Sequence, residues 1–282
     1  MSVKTFTLNG ELVSEPLYLI GSSTKLEELL SVRSAIYRVR IEATGSGEGE
    51  EAADIGTEED EGDDGLTKTF ETHRQADYIS GSKQIASESG ALIFGHENDF
   101  QGAVFPYEKI FDDAVYPFSK GGPEIRALHM PGHTPGSTSY LIDNKYLVTG
   151  DTVFVLSIGR PDLGGMAEEW SKLLFKTLRT KIAELNDDLL ILPGHYLDWS
   201  EANPEKVFSD TMGSIKAKNS NIYGIAEEDE FVRFIEDNMR KQPDVYGEIR
   251  KVNAGILEVD DEEQEIMDLG KNECAASMYG QK

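Results

Sequence analysis

The clearest hydrophobic pattern begins at residue 66 and runs as short strands and helices to about residue 241. "LTKTFETH" (66–73) alternates and predicts a strand ending at His73. "SGSKQIASESG" (80–90) predicts a helix capped by Ser80 or Ser82 and stopped by Gly90. "ALIFG" (91–95) is a strand, and "AVYPF" (114–118) and "EIRALHMPGH" (124–133) are further strand material, the last ending at His133. "STSYLID" (137–143) and "KYLVTGD" (145–151) predict a hairpin turning at Asp143-Asn144 and ending at Asp151. "AEEWSKLLFKTLRTKIAEL" (167–185) places Trp170, Leu173, Leu174, Leu178 and Ile182 on one helical face. "DLLILPGH" (188–195) is continuously apolar, as a strand buried on both sides is, and ends at His195. "AEEDEFVRFIEDNMRK" (226–241) predicts another helix.

The pattern is less regular outside this span. "LYLIGSS" (17–23) reads as a strand; a helix starts at Ser23 or Thr24, and "AIYRVRI" (35–41) alternates like a strand. Residues 42–65 hold eleven carboxylates and no basic residue. Such a segment cannot bury enough apolar surface to offset its ordering entropy, which predicts a disordered loop. From about Val252 the chain is acidic and is expected to lie on the surface.

Composition narrows the function classes. Apolar residues make up 39% of the 282-residue chain, enough for a sizeable core. The net charge of −25 disfavours nonspecific nucleic-acid binding and anionic membranes, since both need basic groups. No run of about 18 apolar residues predicts a membrane span. The start lacks signal-peptide character and Cys274 is the single cysteine, so a reducing, cytoplasmic location is expected.

Four metal-competent residues, His73, His133, Asp151 and His195, each follow a short apolar strand. Loops at strand ends are where a rigid scaffold presents functional groups. The turns "PGHTPGS", "TGD" and "PGH" let the backbone bend beside three of them. His96 reads as a surface loop residue and His129 as a core or supporting group. No phosphate-binding glycine motif occurs.

The set "THxxAD" (72–77), "PGHTPGS" (131–137), "TGDTVF" (149–154), "IGRPDL" (158–163) and "LPGH" (192–195) resembles the metallo-β-lactamase superfamily. With "QPDVYGEIRKVNAG" (242–255), it is similar to the branch holding persulfide dioxygenases, their rhodanese-fused bacterial relatives and glyoxalase II. The resemblance implies an αββα sandwich: two mixed β-sheets face to face, flanked by helices, with a metal site at one edge. It divides the chain into a divergent N-terminal part (1–65), a metallo-β-lactamase-like domain (66–255) and an acidic tail (256–282).

Binuclear members of the superfamily carry HxHxDH in the first loop. Here Gln75 and Tyr78 stand at two of those histidines. The iron-dependent branch implies a smaller set, which falls on His73, His133 and Asp151, all present. Two histidines and a carboxylate on one Fe(II) leave positions open for substrate and O₂. Gln75, Asp77, Tyr78 and His195 then support those ligands or serve a second metal. Arg160, Tyr196 and Arg250 are candidate substrate contacts, Arg160 with the alternative of an internal ion pair to Asp162. The implied reaction is oxidation of a low-molecular-weight persulfide, such as glutathione persulfide, by O₂ to thiol and sulfite. The alternatives are a glyoxalase II-like thioester hydrolase, with Zn in place of Fe, and an inactive homologue. A homodimer is left open.

Overall fold

The computed structural model describes residues 3–5, 7–8, 11–12, 18–21, 40–42, 68–117, 124–196, 199–204, 207–268 and 274–276. The acidic segment beyond Glu42 and the helix expected from Ser23 lie outside the described residues. In the N-terminal part, β1 (Val3–Thr5) pairs antiparallel with β4 (Tyr18–Gly21), which pairs parallel with β5 (Arg40–Glu42). β2 (Thr7–Leu8) and β3 (Glu11–Leu12) pair with each other. β4 falls within the strand expected at 17–23, while of the strand expected at 35–41 only the last two residues are described, in β5; the three-stranded sheet they form is separate from those that follow among the described strands.

β6 (Lys68–Phe70), β7 (Leu92–His96) and β8 (Glu108–Ile110) form a parallel three-stranded sheet. Helix α1 (Ser82–Ser89) connects β6 to β7, and α2 (Glu97–Phe100) follows β7. A second sheet has six strands: β9 (Val115–Pro117), β10 (Glu124–His129), β11 (Thr138–Ile142), β12 (Tyr146–Gly150), β13 (Leu190–Pro193) and β14 (Asp210–Thr211). It is mixed: β12 and β13 run parallel, and the other pairs are antiparallel. The β12–β13 crossover carries α3 (Ala167–Thr180). After β14 come α4 (Met212–Lys218), α5 (Ser220–Tyr223), α6 (Glu228–Asn238), α7 (Tyr246–Asn253) and α8 (Asp261–Asp268).

Period-two alternation builds the layers. Ile125, Ala127, Tyr140, Ile142, Val148 and Leu192 of the large sheet pack with Phe70 and Phe94 of the small one. The neighbouring positions Leu147 and Ile191 face the other way, onto Leu174 and Leu178 of α3 and Phe231 and Ile235 of α6. The large sheet is thus covered on both faces, which is why β12 and β13 read as unbroken apolar runs. The result is the expected αββα sandwich, except that the small sheet is parallel rather than mixed among its described strands.

Three local expectations need correction. β6 stops at Phe70, not His73, because the chain then leaves the small sheet for the large one: the Thr72 carbonyl accepts from Thr138 N at 2.7 Å, and Tyr140 OH donates to the Glu71 carbonyl at 2.5 Å. β10 likewise ends at His129, and residues 130–137 turn back through Met130 N to Ser137 O at 2.8 Å. Helix α1 has Gly81 at its N-cap, with no side-chain cap. Ser80, one residue earlier, still serves the helix start: its Oγ accepts from Ser82 N at 3.2 Å while donating to Glu71. The hairpin turns as expected, with Asp143 and Asn144 at φ 55° and 50°.

Candidate metal centre

Three loops converge where the strands of the two sheets end. His73 comes from the loop after β6, His133 from the loop after β10, and Asp151 directly follows β12. All three are at least 98% buried. His73 Nε2 lies 3.7 Å and His133 Nε2 3.4 Å from the same oxygen, Asp151 Oδ2. Donors bound at about 2.1 Å to one tetrahedral metal lie roughly 3.4 Å apart, so these spacings suit a shared cation.

The hydrogen bonds behind the donors set their tautomers. His133 Nδ1–H donates to the Arg160 carbonyl at 2.9 Å, which leaves Nε2 with its lone pair toward Asp151. His73 Nδ1 lies 3.0 Å from Thr72 Oγ1, and a proton there has the same effect. Burial, outweighing the nearby Asp151, lowers the His73 pKa from 6.5 to about 4, so the ring is neutral at physiological pH. His73 Nε2 and Asp151 Oδ2 are buried without a hydrogen-bond partner. Buried polar atoms are rarely left so, and a cation here satisfies both.

His195 stands on the other side of Asp151. Its Nδ1 is 2.8 Å from Asp151 Oδ1 and its Nε2 is 2.6 Å from Asp77 Oδ2. Burial opposes a charge on this ring, but the two carboxylates outweigh it and hold its pKa well above the ordinary value. Burial also works against the Asp151 charge, yet His195, His73 and His133 together hold its carboxyl well below the usual range. Cys274 Sγ donates to Asp77 Oδ2 at 3.2 Å.

Gln75 and Tyr78 are both buried. The Gln75 amide nitrogen is 3.4 Å from His73 Nδ1, behind the ring rather than on its Asp151 side. The Tyr78 ring centre is 6.1 Å from that of His195. Arg160 adopts the ion-pair alternative: buried, it grips Asp162 through Nε and Nη2, each at 2.6 Å. Arg250, half-buried, donates to the Leu163 carbonyl at 3.0 Å and lies close enough to Arg74 and Asp99 to feel both charges. Tyr196 stacks on Phe208, ring centres 3.7 Å apart. His96 is not a loop residue: it ends β7, accepts from Asn98 N, and stacks on His129 at 3.9 Å.

Two supporting residues escaped the sequence reading. Asp99 of α2 ties the first two ligand loops together. It accepts from Arg74 N at 3.1 Å, Thr134 Oγ1 at 2.6 Å and Gly136 N at 2.8 Å. Asn253, at the end of α7, clamps the His73 loop: its Nδ2 donates to the Gln75 and Tyr78 carbonyls at 3.1 and 2.8 Å, and its Oδ1 accepts from Ser80 N at 2.8 Å. Only its place in the 242–255 motif hinted at this. Two glycines permit the approach of the loops. Gly150 turns at φ +50° just before Asp151. A Cβ on Gly159 would fall 1.8 Å from the Asp151 carbonyl oxygen.

The fold and this His-His-Asp arrangement define a candidate metal-site protein of the αββα sandwich class. The chain belongs to the metallo-beta-lactamase superfamily, whose family profile matches residues 43–195. A hydroxyacylglutathione hydrolase of Acidiphilium cryptum is 33% identical over 131 residues, 46% of this chain and 51% of that protein, so the chain spans about half the length of this curated relative. The structure of a Staphylococcus aureus metallo-beta-lactamase is similar with a TM-score of 0.59 and 28% identity, covering 69% of this chain and 60% of that one. The structure of ETHE1 from Myxococcus xanthus is similar with a TM-score of 0.62 over 91% of this chain and 100% of that one; at 20% identity the likeness is one of fold. No helix among the described residues is long and apolar enough to cross a membrane.

Proposed function

We propose that the protein oxidises a low-molecular-weight persulfide, such as glutathione persulfide, with O₂ and water to the thiol and sulfite, using one Fe(II). The observation that carries this reading is the donor set: two imidazoles and one carboxylate, His73, His133 and Asp151, converge, with His73 Nε2 and Asp151 Oδ2 buried and unpartnered. In the sequence motif Gln75 takes the place of a histidine that binuclear hydrolases of the superfamily carry. Two histidines and one carboxylate suit non-haem Fe(II) in oxygen chemistry, and the iron supplies redox activation of sulfur and O₂ when bound. The chain's own residues hold this set still. His195, charged between Asp77 and Asp151, fixes the carboxylate's orientation, and Asp99 and Asn253 fix the loops. Arg250 and Tyr196 are the proposed contacts for the thiol carrier.

A second reading, thioester hydrolysis, is favoured by the identity to a hydroxyacylglutathione hydrolase and by Asp77 and His195 on the far side of Asp151. The two separate on one assay of protein purified without oxygen. Iron content near about one per chain with persulfide-dependent O₂ uptake, abolished by His133→Ala, supports the dioxygenase. Thioester hydrolysis without such uptake overturns it.

A further inference from the structure

Three residues far along the chain reach the floor of the metal centre. We infer that Cys274, Ala275 and Ala276 are a positioning strand: docked along Ile158, Gly159 and Arg160, they hold His133 and Asp151 in metal-binding register. The inference rests on the metal-binding part of the reading above and not on the reaction assigned to it.

The strip they meet lies between β12 and α3. One of its edges is paired locally: Ile158 bridges Val153 antiparallel, and Phe154 N donates to the Ser157 carbonyl at 3.0 Å. The other edge takes the 274–276 segment. Arg160 N donates to the Cys274 carbonyl at 2.7 Å, Ala276 N donates to the Ile158 carbonyl at 2.8 Å, and Gly159 bridges Ala275 antiparallel. Ile158, Gly159 and Arg160 are all buried, so water does not readily replace these backbone partners. Arg240 closes the assembly: its side chain donates to the Ala275 carbonyl at 2.7 Å, and its own carbonyl accepts from the Arg160 side chain.

The strip in turn touches two of the three metal donors. The Arg160 carbonyl accepts from His133 Nδ1 at 2.9 Å. A Cβ on Gly159 would meet the Asp151 carbonyl oxygen at 1.8 Å and His133 Nδ1 at 3.0 Å, so the strip runs against both residues without slack. Arg160 is thus held through its N–H by the added strand while its carbonyl holds His133. A strip paired on one edge alone is free to shift, and both donors shift with it. The side chains suit the place. Cys274, Ala275 and Ala276 are 1%, 2% and 4% exposed, and the first two share a buried cluster with Ala76 of the His73 loop, Phe154 and Tyr246. At that depth a bulky side chain would lift the strand off the strip.

The single cysteine allows a test that alters the backbone alone. A synthetic peptide of residues 274–282, joined at Cys274 to residues 1–273, regenerates the full chain. An ester in place of the Ala275–Ala276 amide then deletes the Ala276 N–H and changes no side chain. Co(II) is the probe, bound anaerobically by the metal-free protein and read by chelator competition and by visible absorption of the bound ion. The ester protein should bind Co(II) at least about tenfold more weakly than the all-amide ligated protein. Its cobalt bands should also shift, which a loss of overall stability does not produce. Reciprocity requires Co(II) to slow hydrogen exchange of the Arg160 and Ala276 amides in the wild type by a like factor. Equal affinity and identical bands in the two ligated proteins overturn the inference. Unchanged exchange at those amides overturns it as well, whether or not the ester protein refolds. A wild type that binds no Co(II) sinks the metal reading itself and the inference with it, whereas normal binding that the ester leaves untouched sinks the inference alone.

Discussion

Asn253→Ala should both destabilise the protein and loosen its grip on metal. The side chain makes three hydrogen bonds, all to backbone groups of the His73 loop: two carbonyls and one N–H. Asn253 is 3% exposed, and the Gln75 and Tyr78 residues it holds are each 2% exposed. Water therefore does not readily replace the lost partner. A buried group left unpaired costs about 1–3 kcal/mol, so three give roughly 3–6 kcal/mol after partial relaxation. Asn253→Asp supplies a sharper contrast. It keeps an oxygen for Ser80 N but aims a carboxylate at two carbonyl oxygens, and should be at least as damaging as alanine despite its near-identical shape. Urea unfolding of the metal-free protein gives the stability, and competition with a chelator gives the metal affinity. Outer partners of a metal site typically carry about tenfold to a hundredfold in affinity. If Asn253→Ala unfolds within about 1 kcal/mol of the wild type and binds metal equally well, the clamp is not what positions His73 and Asp77.

Four further outcomes are expected. Gly159→Ala should abolish tight metal binding, because its Cβ would meet the Asp151 carbonyl oxygen at 1.8 Å and His133 Nδ1 at 3.0 Å; equilibrium dialysis showing wild-type affinity would refute this. Arg160→Ala leaves Asp162 buried and unpaired, and should cost about 3–5 kcal/mol by urea unfolding; unchanged stability with a raised KM for substrate would return Arg160 to substrate binding. In the metal-free protein the unfolded chain protonates His73 near 6.5 while the folded one resists to about 4, so its stabilising contribution is complete above 6.5 and falls as pH drops toward 4. That gap corresponds to about 3 kcal/mol, and the His73→Asn variant should lose less stability than the wild type between those values. His195, with its raised pKa, contributes in the opposite sense, fully below 6.5 and less as pH rises through its folded value. Finally, Fe(II) at about a hundred times its Kd should stabilise the wild type by about 2.7 kcal/mol, a gain that chelation reverses and His133→Ala largely removes in thermal unfolding.

What the sequence disclosed follows from the range of each physical signal. Periodicity is local, and it marked β10 to β13, α3 and α6, where one face or both must be apolar. The turn at Asp143-Asn144 was legible because positive φ at both positions restricts the residue choice. His73, His133, Asp151 and His195 stood out because glycine-rich turns and strand ends flag them one by one. Strand ends were misplaced where tertiary bonds intervene: Thr72 leaves β6 early because Thr138, far along the chain, takes its carbonyl. Asp99, Asn253 and Cys274 carry no comparable local mark. Cys274 lies 197 residues from its partner Asp77, and Asn253 175 residues from Tyr78, so only folding reveals them.

The charges gathered around Asp151 explain why a loop lacking two histidines still presents a metal-competent centre. Asp77 and Asp151 bring two carboxylates into the interior, and His195 supplies one cation between them. His73, with its pKa of about 4, adds none near neutrality. The cluster leaves Asp151 Oδ2 and His73 Nε2 buried without a hydrogen-bond partner. Burying such a group is costly unless a further cation joins it. Gln75 lies on the Nδ1 side of His73 and Tyr78 beside His195, away from these two atoms. A cation placed there would satisfy Asp151 and His73 without calling on either replaced position. Mutating Asp151 to asparagine removes this buried carboxylate and should remove the affinity with it, so the metal-free variant should be no less stable than the metal-free wild type while failing to gain stability from Fe(II).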